Sequence, residues 1–219
     1  MSYHESRFTF DQRREVLWRT LCHAYFQKLV PLDGCVLELG AGYGHFINNI
    51  EATRRIAVDI WPGMAEYIKP PVESRIGSVS DLAWVPDRSV DFAFASNLFE
   101  HLERAEFLAV LDQLRSKLTA GGTLNILQPN YRYAYKEYFD DYTHVSVYSA
   151  AGLCDLLTAR GFEIADCQPR FLPLTIKSRA PVFPALIRLY LALPVKPLGK
   201  QMLIRARVRD PAAVISRGW

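Results

Sequence analysis

Residues 36–46, Val-Leu-Glu-Leu-Gly-Ala-Gly-Tyr-Gly-His-Phe, decide the fold. The apolar run Cys35-Val-Leu-Glu-Leu-Gly40 suits a strand buried on both faces. It leads straight into Gly40, Gly42 and Gly44, and side-chain-free residues let a backbone turn sharply and approach a ligand closely. The stretch after them, HFINNIEA (45–52), reads as a helix. A second apolar run, RIAVDI (55–60), places Asp59 at its end, 19 residues after Gly40. A carboxylate there can accept both hydroxyls of a ribose.

Working outward, the same alternation continues. Residues 74–79 give a weak third strand, VDFAFAS (90–96) a fourth, and TLNILQP (123–129) a fifth after a Gly121-Gly122 turn. FEIADCQP and QMLIRARVR are the last two strands. Helical patterns fall at 11–30, with Asp11 as N-cap, at about 103–118, and at about 149–160, where Gly161 ends the helix. Strand–helix alternation calls for a doubly wound α/β sheet, mostly parallel, with helices on both faces. Ligands then bind beyond the carboxyl ends of the central strands.

The 219 residues fit one domain, and with 50% hydrophobic and 22% charged residues they support a sizeable core. The N-terminal stretch lacks the apolar segment of a signal peptide, and no apolar run reaches membrane-span length. Cys22, Cys35, Cys154 and Cys167 are scattered, without a CxxC or Cys/His cluster, so reduced thiols and no metal are expected. These features point to a cytoplasmic protein.

Two cofactor classes use such a glycine turn. Dinucleotide folds prefer GxGxxG, but His45 stands where the third glycine would fall, and the spacing is GxGxG. Glu38 precedes the first glycine by two residues. A carboxylate is a poor neighbour for pyrophosphate and a good one for an ammonium or sulfonium group, which favours S-adenosylmethionine (SAM) over NAD.

VLELGAGYG, the AVDI strand end, SVDFAFASNLFEHL and LTAGGTLNILQPN resemble the class I SAM-dependent methyltransferases, above all the group that includes small-molecule and quinone methyltransferases. The likeness covers roughly residues 30–170. It implies a Rossmann-like, seven-stranded sheet with an antiparallel last strand, and transfer of a methyl group from SAM. It further implies that Glu38, Gly40, Ala41, Gly42 and Gly44 hold the methionine end. Asp59 would hold the ribose, Ile60 the adenine face, Ser78 and Val79 the adenine edge, and Asn97 would lie beside the methionine portion. Ser78 stands where the family often has an Asp bonding the adenine amino group.

The acceptor is not written in these motifs. His101, in NLFEHL, is a candidate acceptor-side base or a structural residue. Residues 130–149, NYRYAYKEYFDDYTHVSVYS, carry six tyrosines and leave the end of the fifth strand. Aromatic faces with a few polar groups suit an organic acceptor, and His144 can remove a proton near neutral pH, with Asp141 to orient it. Oxygen is therefore the favoured methyl acceptor, on a small or lipid-linked molecule. A lid packed on the body is the alternative for this segment. For the whole chain the alternatives are a SAM-binding partner or sensor without turnover, and a nucleotide-cofactor oxidoreductase. A nucleic-acid methyltransferase would want an NPPY-like stretch where this chain has SNLFEH.

Charge divides the chain. Residues 1–169 hold 16 Lys/Arg and 22 Asp/Glu, whereas 170–209 hold nine basic residues and no acid. A hairpin between the last two strands needs only a few residues. The insertion at about 170–200 instead carries PALIRLYLAL, apolar nearly all round and bounded by Pro184 and Pro194. Such a helix should be buried against something. The stretch 181–195 is expected to meet its own core, a second subunit, or the inner face of a membrane.

Overall fold

The computed structural model describes residues 11–173 and 182–209. Seven strands form one sheet in the order β3-β2-β1-β4-β5-β7-β6. They are β1 (Cys35–Leu39), β2 (Arg54–Asp59), β3 (Glu73–Ile76), β4 (Val90–Ser96), β5 (Leu118–Pro129), β6 (Phe162–Leu172) and β7 (Gln201–Val208). β1, β2, β3, β4 and β5 pair in parallel, and β7 runs antiparallel to both β5 and β6. This is the expected doubly wound arrangement with an antiparallel last strand. The helices are α1 (Gln12–Ala24), α2 (Arg104–Lys117), α3 (Tyr131–Ala134, one turn), α4 (Ala150–Ala159) and α5 (Pro184–Ala192).

Alternation along the strands feeds two cores. On one face Leu37, Leu39, Ala93, Ala95, Ile126, Ile204 and Ala206 meet Leu111, Leu114, Leu153 and Leu157 of α2 and α4. On the other face Val36, Phe92, Phe94 and Leu203 meet an aromatic cluster. Within it Phe26 lies 5.6 Å from Phe46 and 5.1 Å from Phe94 between ring centroids, with Trp18 of α1 against its outer side. β1 is buried at all five positions, as its unbroken apolar run requires.

Several elements differ from the sequence reading. HFINNIEA forms only a 3-10 turn, Ile47–Asn49, because its asparagines bond elsewhere. Asn48 Nδ2 donates to the Tyr67 carbonyl, and Asn49 Nδ2 donates to the His45 carbonyl. The N-terminal helix stops at Ala24 instead of reaching 30, and the chain turns through a 3-10 segment, Phe26–Lys28, that sends Phe26 into the core. β3 ends at Ile76, which leaves Ser78 and Val79 in the loop beyond it. Gly121-Gly122 lies inside β5, in an irregularity where pairing jumps from Val90–Leu118 to Phe92–Thr123. β6 runs on to Leu172, so the insertion before β7 is shorter than expected, and 174–181 lie outside the described residues.

The helix expected to be buried has no buried residue. Ile187, Tyr190 and Leu191 of α5 pack beside α1 on the aromatic core. Phe183 (54%), Leu186 (58%) and Leu189 (60%) remain exposed. This nine-residue helix seats one face beside α1, and nothing among the described residues covers the other.

Candidate functional site

A cavity of about 360 Å³ opens beyond the carboxyl ends of β1, β2 and β4. Glu38, Gly40, Ala41, Gly42, Asp59, Ile60, Ser78, Val79 and Asn97 all line it, together with His101 and Thr143. Of the expected cofactor residues, Gly44 stands behind the turn, where an added Cβ would meet the Ile68 and Asn48 side chains.

The glycine turn is fixed from β2. Gly40 N–H and Ala41 N–H both donate to the Val58 carbonyl, at 2.9 and 3.2 Å. Gly42 N–H donates to Asp59 Oδ2 at 2.8 Å, and Trp61 N–H donates to Oδ1 at 2.8 Å. The carboxylate is thus held toward the cavity, and each of its oxygens keeps a further lone pair for a ligand hydroxyl. Gly42 has φ +50°, and a Cβ placed on it would meet nothing within 4 Å. That open side is the cradle a ligand would fill. Ile60, 75% exposed, offers an apolar face to the same space.

Glu38 is buried at the cavity wall, where Oε2 accepts Ile47 N–H at 3.0 Å. Burial holds its carboxyl well above the usual range, against the pull of that bond. Asn97 closes β4 in the left-handed region, φ +49°, which Asn tolerates better than most residues. Its N–H donates to the Leu127 carbonyl, and its Oδ1 accepts Gln201 Nε2 at 2.7 Å. The Ser78 hydroxyl accepts Ser80 N–H and lies 2.7 Å from the Ser80 hydroxyl. Asp81, the acid of that loop, accepts Ala83 N–H as a turn cap.

The three acceptor-side candidates converge although they come from two parts of the chain. Val145 N–H and Ser146 N–H donate to the Glu100 carbonyl, and Ser146 Oγ donates to the Leu102 carbonyl. These bonds stitch the segment after β5 to the end of β4. They bring the rings of His101 and His144 to 4.8 Å between centroids. Thr143 Oγ1 donates to Asp141 Oδ1 at 2.7 Å and lies 2.8 Å from His101 Nδ1. Since the hydroxyl proton goes to the carboxylate, Nδ1–H of His101 is the donor to Thr143, which leaves Nε2 with a lone pair. Burial, then the neighbouring His144, depress the His101 pKa to about 4, so the ring is neutral at neutral pH. His101 lines the cavity, and His144 packs behind it against the buried ring of Tyr138 at 4.6 Å.

Sequence reading missed Arg14 and Trp18, which bring α1 to the rim, and Glu100 and Thr143. The NLFEHL stretch pointed at Glu100 only as a neighbour of His101. Nothing local marks Arg14, Trp18 or Thr143, whose roles depend on chain crossings.

The fold and site define the Rossmann-like class that binds SAM beside a glycine turn. A family model described as a methyltransferase domain matches residues 10–166, and the chain belongs to that family. It is an enzyme, a SAM-dependent methyltransferase. The structure is similar to a SAM-dependent methyltransferase from Archaeoglobus fulgidus, with TM-score 0.66 and 22% identity over 93% of this chain and 96% of that one. It is also similar to a SAM-dependent methyltransferase from Thermotoga maritima described as a possible histamine N-methyltransferase, with TM-score 0.62 and 22% identity over 91% and 94%. A third likeness is to geranyl diphosphate C-methyltransferase from Streptomyces coelicolor, with TM-score 0.59 and 14% identity over 86% and 77%. At these identities the likenesses speak for the fold. No curated protein matches the chain.

The positive φ of Gly42 yields a prediction. Gly42→Ala should cost about 1–2 kcal/mol of stability from left-handed strain. Its methyl group would also stand in the cradle, so SAM affinity should fall more than stability does. Thermal melts beside calorimetric titration separate the two effects, and unchanged affinity would remove Gly42 from the cofactor site.

Proposed function

We propose that the protein methylates an oxygen of a small or lipid-linked organic acceptor that enters beside His101. The observation that carries this reading is that His101 and Thr143 line the same cavity as Asp59 and Gly42. Bound SAM supplies an electrophilic methyl group on its sulfonium. Asp59 would accept the ribose hydroxyls, with Ile60 under the adenine and Ser78 and Val79 at its edge. Glu38, the turn from Gly40 to Gly42, and Asn97 would surround the methionine end. His101 would take up the acceptor proton, oriented by Asp141 through Thr143 and backed by His144. The rest of the rate comes from alignment and exclusion of water. The test is transfer of labelled methyl from SAM into fractions of cell extract. Label in an ether or ester supports the reading; label only on nitrogen or carbon removes the role of His101 as a base toward a hydroxyl.

The buried carboxyl of Glu38 gives this reading a pH signature. Without ligand its pKa is raised, so it keeps a proton above the ordinary carboxylate range. A methionine ammonium beside it favours the carboxylate and lowers that pKa. Binding should therefore release protons, and SAM affinity should rise with pH until the ligand-free carboxyl has ionised. Calorimetry in buffers of different ionisation enthalpy reads the release directly. Proton uptake, or none, would place the ammonium away from Glu38.

A second observation bears on where the enzyme works. No described helix is long and apolar enough to cross a membrane. Yet α5 exposes Phe183, Leu186 and Leu189 within a stretch, 170–209, that has nine basic residues and no acid. We infer that this face rests on an anionic membrane surface, where each basic residue is worth about 1 kcal/mol. Flotation with vesicles should rise with anionic lipid, fall with salt, and be lost in the double variant Leu186→Asp, Leu189→Asp. Indifference to vesicles of every composition would leave the face to a protein contact.

A further inference from the structure

We propose that Glu100, His101 and His144 form a site for one divalent transition-metal cation at the inner wall of the cofactor cavity. One donor atom from each of the three residues lies within 4.8 Å of the others. Ligands on a single ion with bonds of about 2.0–2.2 Å sit roughly 3.3 Å apart, so small side-chain rotations would close the set.

Glu100 is the observation that asks for a ligand. It is 0% exposed, and apart from the pull of its own backbone N–H neither carboxylate oxygen has a hydrogen-bond partner among the described residues. Buried polar atoms are nearly always bonded, and a buried carboxylate with two bare oxygens wants a proton or a cation. Two imidazoles lie beside it, one from its own stretch and one from the segment after β5. Burial pushes the Glu100 carboxyl up to about 8, whereas His101 stays neutral. A cation would favour the ionised carboxylate, with an imidazole nitrogen from each histidine as a further ligand.

The surroundings resemble those that hold metal ligands in place. His101 Nδ1 is fixed by Thr143, whose hydroxyl is fixed by Asp141, which sets the plane of the ring. The Glu100 carbonyl accepts Val145 N–H at 2.9 Å and Ser146 N–H at 3.1 Å, so the two halves of the set are joined through backbone. Two nitrogens and one carboxylate suit Zn²⁺, Mn²⁺, Fe²⁺ or Co²⁺, whereas Mg²⁺ and Ca²⁺ favour all-oxygen sites. Three protein ligands leave a position open. Because His101 lines the cavity, that position borders the space assigned to the acceptor, where a cation would bind the acceptor oxygen and ease loss of its proton to water, with His101 then a ligand in place of the base. This consequence rests on the acceptor reading given above; binding of the cation does not.

The test uses chelator-stripped full-length protein without SAM or acceptor. Co²⁺ is titrated while its visible d–d absorption is followed, and Zn²⁺ by calorimetry. One equivalent should bind, with protein-coordinated Co²⁺ bands. Affinity should fall on the order of 100-fold in Glu100→Gln and in His144→Asn, at least as much as loss of an outer partner costs at such sites. His23→Ala, on the exposed side of α1, should bind as the parent does. Circular dichroism checks folding, and His144→Asn, which alters a residue less buried than Glu100, keeps the test open if Glu100→Gln unfolds. The absence of these bands in the parent, or unchanged affinity in both folded variants, overturns the site. Cation binding without methyl transfer to oxygen would sustain the site and remove the proposed function. Full methyl transfer in metal-free protein would leave the function standing and overturn a role for the cation in it.

Discussion

Asp59→Ala should weaken SAM and S-adenosylhomocysteine binding by roughly 2–4 kcal/mol, because it removes two charge-assisted bonds to the ribose hydroxyls. That is on the order of 30-fold to nearly 1,000-fold in affinity. The carboxylate also receives Gly42 N–H and Trp61 N–H, so the variant loosens the glycine turn as well. Asp59→Asn separates the two effects: its side-chain oxygen keeps one acceptor in place and lowers the charge. It should recover most of the melting temperature and only part of the affinity. Calorimetry that finds SAM affinity unchanged in Asp59→Ala would overturn the placement of the cofactor.

His101→Ala should lower turnover on the order of 100-fold or more while leaving SAM affinity within a few-fold of the parent. A loss of that size is about 2.7 kcal/mol of transition-state stabilisation. The ring stands where acceptor and cofactor would meet, and its orientation comes from Thr143 and Asp141. Thr143→Val should therefore reproduce part of the loss, because it cuts the link to Asp141 and leaves the ring in place. His144→Ala removes the ring packed against His101 at 4.8 Å and should also slow turnover. If all three variants turn over normally, methyl transfer runs on proximity alone and the histidines are structural. Collapse of SAM affinity would instead assign His101 to the cofactor side.

The sequence by itself marked out the expected cofactor end of the molecule. A buried strand, a GxGxG turn and an acid closing the next strand are local signals, and each is read within a few residues of where it acts. Glu38, Gly42, Asp59 and Ile60 line one cavity because consecutive parallel strands deliver their ends to the same rim. The mostly parallel sheet followed from the same alternation, and the antiparallel last strand from the resemblance, whereas the strand order is seen only in the structure. Local signals failed where side chains competed with backbone: Asn48 and Asn49 drew the expected helix after the glycine turn into a 3-10 turn. They also failed where an element's surroundings decide its burial, as in α5, whose apolar pattern is the same on both sides although only one side meets α1. What only the tertiary structure decided is the acceptor side. His101 and His144 are 43 residues apart, and their meeting depends on backbone bonds from Val145 and Ser146 to Glu100. The bare carboxylate of Glu100 became visible only in the same contact, because burial and missing partners are properties of the packed chain.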